Sequence, residues 1–235
     1  MHRGPIYLTG FRNQATDRLS TMAGSDMPLG ILIQPWTRDY LPYSHIYPWC
    51  GIDNGCFTEA GRDRFVLSDY LEMTREALLR WGDHLLFATA PDVPMDWAGT
   101  LQASLPVLPL IRQVGAMAAL VLQDGATPEN IPWHACDSIF IGGSTEWKIG
   151  PEVQRICRYA RRLPRGGPGI HMGRVNSLKR LLVAASFGCD SVDGTYLMHE
   201  TKKGQSSAGV DTMLFWLREM HKRAAPPMGY NPPPF

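Results

Sequence analysis

Apolar residues along this chain collect in short runs of strand length separated by polar stretches, and no single period runs through the whole. The runs are "IYLTG" (6–10), "LGILIQP" (29–35), "WCGID" (49–53), "HLLFATAPD" (84–92), "AALVLQDG" (118–125), "SIFIGG" (138–143), "GIHMG" (169–173) and "GCDSVDG" (188–194). Most end in Gly, Pro, Asp or another polar residue that stops a strand. Between several of them the apolar positions recur at helical spacing instead: "SDYLEMTREALLRWGD" (68–83) with Ser68 as its N-cap, "PEVQRICRYARRL" (151–163) and "VNSLKRLLVAASFG" (175–188). Strands alternating with helices predict parallel βαβ units, and eight of them in a chain of this length predict a compact α/β fold, a (β/α)8 TIM-type barrel. "VDTMLFWLREMHKRA" (210–224) reads as a last amphipathic helix, so one barrel domain is expected over 1–224. The Pro-rich "APPMGYNPPPF" (225–235) is expected to be an extended or disordered tail.

In such a barrel the residues at the C-terminal ends of the strands face the active site. That rule brings Asp53, Asp92, Gln123, Gly143, Met172 and Asp193 around one mouth. Asp190 and Asp193 stand out, because aspartate is a poor strand former and is rarely buried without a partner. An Asp-Gly pair is also a common turn, and on this segment alone the two readings stand side by side. Convergence with five other strand ends favours a site.

Composition narrows the setting more than the chemistry. Of the 235 residues, 44% are hydrophobic and 19% charged, which fits a globular chain and not a disordered one. No apolar run approaches the ~20 residues that span a bilayer. "MHRGPIYLTGFRNQ" lacks the apolar core of a signal peptide, so a cytoplasmic location without membrane contact is expected. Cys50, Cys56, Cys136, Cys157 and Cys189 are odd in number and scattered without a C-x-x-C pair, so neither a disulfide framework nor a metal site is expected, and no cofactor is implied. A formal net charge of +1 is neutral on nucleic acid as a partner, since positive charge can be gathered on one face.

The strand ends "GIDNGCF", "TAPDVP", "LVLQDG", "FIGGS", "HMGR" and "GCDSVDG", in this order and at these relative positions, resemble the tRNA-guanine transglycosylase family, whose members exchange a guanine in a polynucleotide for a 7-deazaguanine. The resemblance runs over about residues 50–196 and is nearer to the reduced, phage-type relatives that insert 7-deazaguanines into DNA. It implies that Asp53, in the family's D-S-G-G-F/Y element, contacts the base and that Phe57 stacks on it. It implies a second base-recognising aspartate in Asp92, readers of the O6 edge in Gln123 and the N–H of Gly143, and a cover for the opposite face in Met172. Asp193 takes the place of the nucleophile, the second aspartate of a G-x-D-x-x-D pattern.

These residue types suit that chemistry. Guanine offers N1–H and N2–H2 as donors and O6 as acceptor, so a guanine pocket wants carboxylates on one edge and amide or backbone donors on the other. A flat heterocycle also wants an aromatic ring and a thioether on its faces. Exchange with retention at C1′ needs a carboxylate nucleophile, here Asp193, while Asp53 and Asp92 are candidates for moving the proton of the leaving or incoming base. Arg174 and Lys148 lie just past two strand ends, where they would either help keep the carboxylates ionised or serve as solvated surface cations.

The departures from the family point to the polymer. Its larger tRNA enzymes carry a zinc site on C-x-C-x-x-C with a later His, which has no counterpart here, and more residues after the nucleophile. DNA is therefore the expected polymer, by analogy in a phage or mobile-element setting and hence in a host cytoplasm, with accessory proteins to open the duplex compatible with this reading. The same exchange on tRNA is one alternative, and a catalytically silent, transglycosylase-like subunit that binds nucleic acid is another, although a silent subunit has no need of Asp193. A neutral base such as 7-cyano-7-deazaguanine is expected, because no extra anion is evident near Gly143 and Ser144.

Other features have plainer readings. Arg155, Arg158, Arg161, Arg162 and Arg165 would bind phosphates or form a solvated helix face. His171 is left out of the catalytic set as an ordinary hydrogen-bonded histidine, and Cys56 stands where the family has glycine. Most of the tryptophans are expected in the core.

Overall fold

The computed structural model describes residues 5–23, 29–196, 211–216 and 218–219. The eight expected strands all form: β1 (Ile6–Thr9), β2 (Leu29–Ile33), β3 (Cys50–Ile52), β4 (Leu85–Thr89), β5 (Ala118–Leu122), β6 (Ser138–Ile141), β7 (Gly169–Met172) and β8 (Ser191–Gly194). Each pairs in parallel with the next, and β8 pairs with β1 to close a (β/α)8 barrel.

Helices cover the outside: α1 (Gln14–Ala23), α2 (Glu59–Asp63), α3 (Leu67–Trp81), α4 (Trp97–Ser104), α5 (Leu108–Val114), α6 (Thr145–Lys148), α7 (Pro151–Ala160) and α8 (Leu178–Ser186). The β2–β3 and β5–β6 connections use 3-10 segments instead, Pro35–His45 and Trp133–Ala135. The sequence pattern marks α3, α7 and α8 but shifts their ends. Val66, not Ser68, sits at the cap of α3, and Gly82 ends that helix at φ 53. Helix α8 starts late because the Val175 N–H is bound to the Asp193 carbonyl at 2.6 Å, which keeps the chain extended until Ser177 caps the Arg180 N–H. Helix α5 tolerates Pro109 because it lies in the first turn, where a missing N–H goes unnoticed. Residues 211–216 and 218–219 are helical; the rest of the expected last helix and the tail over 225–235 lie outside the described residues. Among the described residues, no helix is long and apolar enough to cross a membrane.

Alternation along each strand separates two cores. Tyr7, Ile31, Ile52, Leu120, Ile141, Met172 and Val192 face the helices and pack with Leu19, Tyr70, Ile111, Ile156 and Leu181. Leu8, Leu32, Phe87 and Ala119 fill the barrel interior with Phe140 against them. Gly30 and Gly51 make room for that filling: a Cβ at Gly30 would lie 2.4 Å from Leu8 and 2.6 Å from the Trp49 carbonyl oxygen. The carbonyl is held by the Ile31 N–H at 2.9 Å, just before β3, and has nowhere to go. Gly30→Ala is therefore expected to destabilise the protein by about 2–3 kcal/mol, read as a lower midpoint in urea at unchanged slope.

Candidate active site

The strand C-termini surround a cavity of about 320 Å³ lined by Asp53, Phe57, Asp92, Gln123, Gly143 and Asp193, among others. That volume lies in the range of small-molecule sites. Five of the six residues expected at the mouth, all but Met172, meet there, together with Phe57.

Asp193 is carried by β8 with its side chain turned into the barrel, opposite Leu8 in register. Its Oδ1 lies 3.0 Å from His171 Nε2, and its Oδ2 lies 3.4 Å from the backbone N–H of Arg174. Gly173 allows this approach, because a Cβ there would stand 2.6 Å from the Phe140 ring and 3.3 Å from Asp193 Oδ1. Asp53 follows β3, its backbone N–H bound to Ile33 O at 2.9 Å. Its Oδ2 accepts from Gln34 Nε2 at 2.6 Å and its Oδ1 from the Thr89 hydroxyl at 3.4 Å. Burial pushes its pKa up, the Gln34 bond opposes that, and the charge of Asp193 adds to it.

Asp92 sits just beyond β4 and accepts from Asn54 Nδ2 at 3.0 Å and Gln123 Nε2 at 2.7 Å. Burial, with Asp53 nearby, pushes its pKa up to about 6 despite those two donors. Gln123 is held in one orientation, since its Oε1 accepts from the backbone N–H groups of Met95 and Gly143, both at 2.9 Å. The Gly143 N–H thus orients the Gln123 amide and does not point at a base oxygen as expected.

Phe57 stands at the rim, 55% exposed, with the Arg174 guanidinium 4.9 Å from its ring centroid. Arg174 takes a left-handed φ of 56° and donates to the Gly143 carbonyl, so one residue ties the β3, β6 and β7 ends together. The structure does not bring Met172 to the cavity. It is fully buried beside Val192 and Ile141, on the helix-facing side of the sheet, because it is out of phase with His171 and Gly173. The thioether at the cavity belongs to Met95, on the β4–α4 loop at φ 61°.

The expected lack of an anion near Gly143 and Ser144 is also corrected. Asp124 accepts from the Ser144 N–H at 2.6 Å and from its hydroxyl at 2.5 Å. The preference for a neutral substituent on the base loses its ground.

No protein-family model matches the sequence, and no curated protein matches it significantly. Among solved structures, a chain of the tryptophan synthase α2β2 complex from the hyperthermophile Pyrococcus furiosus is similar over 93% of this chain and 98% of its own, with a TM-score of 0.56 and 11% identity. That likeness establishes the barrel fold alone.

Four residues at or beside the site were not singled out from sequence, or were set aside: Gln34, Asn54, Met95 and His171. Gln34 is one residue past β2, a strand end like those that were read, and Asn54 adjoins Asp53. His171 was readable from its parity with Gly173. The arginine run lies elsewhere: Arg155 pairs with Glu129 at 2.7 Å and Glu152 at 2.8 Å, and Arg161 with Asp190 at 2.7 Å. Asp190 also receives the Ile170 N–H at 2.8 Å, so the first aspartate of "GCDSVDG" ties the starts of β7 and β8 together. The five cysteines are buried and free, and among the described residues no group of three or more His, Cys, Asp or Glu side chains could hold a metal ion.

Lys148, at the end of α6, is fully buried and donates to the Gly173 carbonyl at 2.7 Å. Burial lowers its pKa to about 7, with Arg174 lowering it further and Asp193 opposing. A lysine depressed in the folded state favours folding less as pH falls, because the unfolded chain takes up the proton first. Lys148→Met should remove this dependence. The stability of wild type relative to the variant is expected to rise from about pH 7 towards pH 10, measured by denaturant titration across that range.

Proposed function

We propose that this protein is a guanine transglycosylase that exchanges guanine in DNA for a 7-deazaguanine through a glycosyl-aspartate intermediate. One observation carries the reading: a carboxylate inside the barrel, Asp193, faces the same cavity as Asp53, Asp92 and an orientation-locked Gln123, with exposed Phe57 at the rim. In this reading Asp53 and Asp92 accept from the N1–H and N2–H2 edge of the base. Gln123 Nε2 has a second hydrogen beyond the one on Asp92, which serves O6. Phe57 and Met95 offer the aromatic and thioether surfaces that a flat base needs.

Asp193 attacks C1′ as the C1′–N9 bond breaks, and the departing guanine takes up one proton. The incoming base gives up one proton as its ring nitrogen attacks C1′ and releases Asp193. Protons balance over the exchange. With a pKa near 6, Asp92 can both accept and return one near neutral pH. The target nucleotide must leave the helical stack to reach the cavity, which requires a few kcal/mol from the rest of the interface. The choice of DNA rests on the lack of the C-x-C-x-x-C element that serves tRNA enzymes in the resembling family.

The deciding assay incubates the protein with guanine-containing DNA or with tRNA and a labelled 7-deazaguanine, then digests the polymer to nucleosides for mass spectrometry. Label is expected in DNA, with at least a ~1,000-fold loss in Asp193→Asn. Label only in tRNA would keep the chemistry and change the polymer; label in neither would remove the reading. Asp92 adds a pH signature. Below about pH 6 it gains a proton and stops accepting from the base, so guanine affinity measured by calorimetry should fall, approaching tenfold per pH unit.

A further inference from the structure

His171 is 1% exposed, and both of its ring nitrogens meet side chains of β8. Nδ1 lies 2.8 Å from Ser191 Oγ and Nε2 lies 3.0 Å from Asp193 Oδ1. Ser191 and Asp193 are two residues apart on one strand, so both point inward, and His171 pairs with Ser191 in the sheet. The imidazole therefore bridges two successive inward positions of its neighbour. Its plane is confined as well, with the Phe87 ring at 4.7 Å and the Phe140 ring at 4.4 Å.

We propose that His171 is a positioning residue that fixes which oxygen of Asp193 attacks. An ionised carboxylate only accepts, so Nε2 must carry the proton that faces Oδ1. A neutral imidazole then has a bare Nδ1, and the Ser191 hydroxyl, free to rotate, donates to it. The Asp193 carboxylate sets the tautomer, the Ser191 hydroxyl completes it at the other nitrogen, the Nε2–H ties down Oδ1, and Oδ2, with its longer 3.4 Å contact to the Arg174 N–H, is left as the attacking atom. Locking the carboxylate rotamer in advance removes a misalignment that would otherwise slow attack at C1′. Asp193 and His171 face each other across two paired strands, so the arrangement is part of the barrel wall and not of a loop.

The kinetic half of this inference rests on the transglycosylase reading, and the structural half does not. Heteronuclear NMR of the imidazole nitrogens in the unmodified protein should show Nε2 protonated and Nδ1 bare, a preference that persists in Ser191→Ala because Asp193 still requires the donor. A protonated Nδ1 with a bare Nε2 would overturn the proposal whether or not the protein exchanges bases. In the exchange assay, His171→Leu is expected to lower kcat by about 100-fold with KM for the incoming base unchanged. His171→Gln, whose amide can still donate to Asp193, should recover most of that loss. A His171→Leu variant within threefold of wild-type kcat, or equal loss in the Leu and Gln variants, would reduce His171 to a packing residue. If wild type exchanges no base on either polymer, the function fails while the tautomer result still decides the hydrogen bond.

Discussion

Pairing of β8 with β1 is the constraint from which the rest follows. Once the sheet closes, every strand residue must face either the barrel interior or the helices, and the register decides which. With Leu8 opposite Asp193, the inward set includes Gln123, Phe140, His171, Ser191 and Asp193, while Met172 and Val192 are driven outward. The interior below the mouth is filled with Leu8, Leu32, Phe87 and Ala119, so it forms an apolar floor under the polar cavity. Glycines at 30, 51 and 173 mark the places where two inward side chains would otherwise compete for one volume.

On that floor stand three carboxylates, of which Asp193 raises the pKa of Asp53 and Asp53 that of Asp92, and the surrounding donors are arranged against it. Gln34 and Thr89 donate to Asp53, Asn54 and Gln123 to Asp92, and Arg174 and His171 approach Asp193. The donors do not fully compensate for burial: Asp53 and Asp92 remain shifted upward. Incomplete compensation of this kind is common where groups must change protonation during a reaction. Lys148 reports the same low-polarity surroundings from the opposite sign of charge.

Much of this could be read from the chain. Eight short apolar runs ending in turn formers, with helical spacing between several, are sufficient for a parallel barrel, because few other folds bury so many short strands in so few residues. Strand ends are then equivalent positions, which is why Asp53, Asp92, Gln123 and Asp193 could be picked out together. Helix boundaries and the short helices α2, α4, α5 and α6 were not legible, since segments of four to eight residues carry too few turns for periodicity to register.

By itself the sequence determined the architecture and the residue types offered to the mouth, because both depend on local pattern: run length, turn formers and which side chain ends each run. Tertiary structure decided everything that depends on phase between strands. It turned Met172 away and His171 inward, gave the thioether position to Met95, turned the Gly143 N–H onto Gln123, and set Asp124 beside Ser144. A shift of one residue in register exchanges the two faces of a strand, and that register is fixed only when the neighbouring strands and the closed barrel are in place.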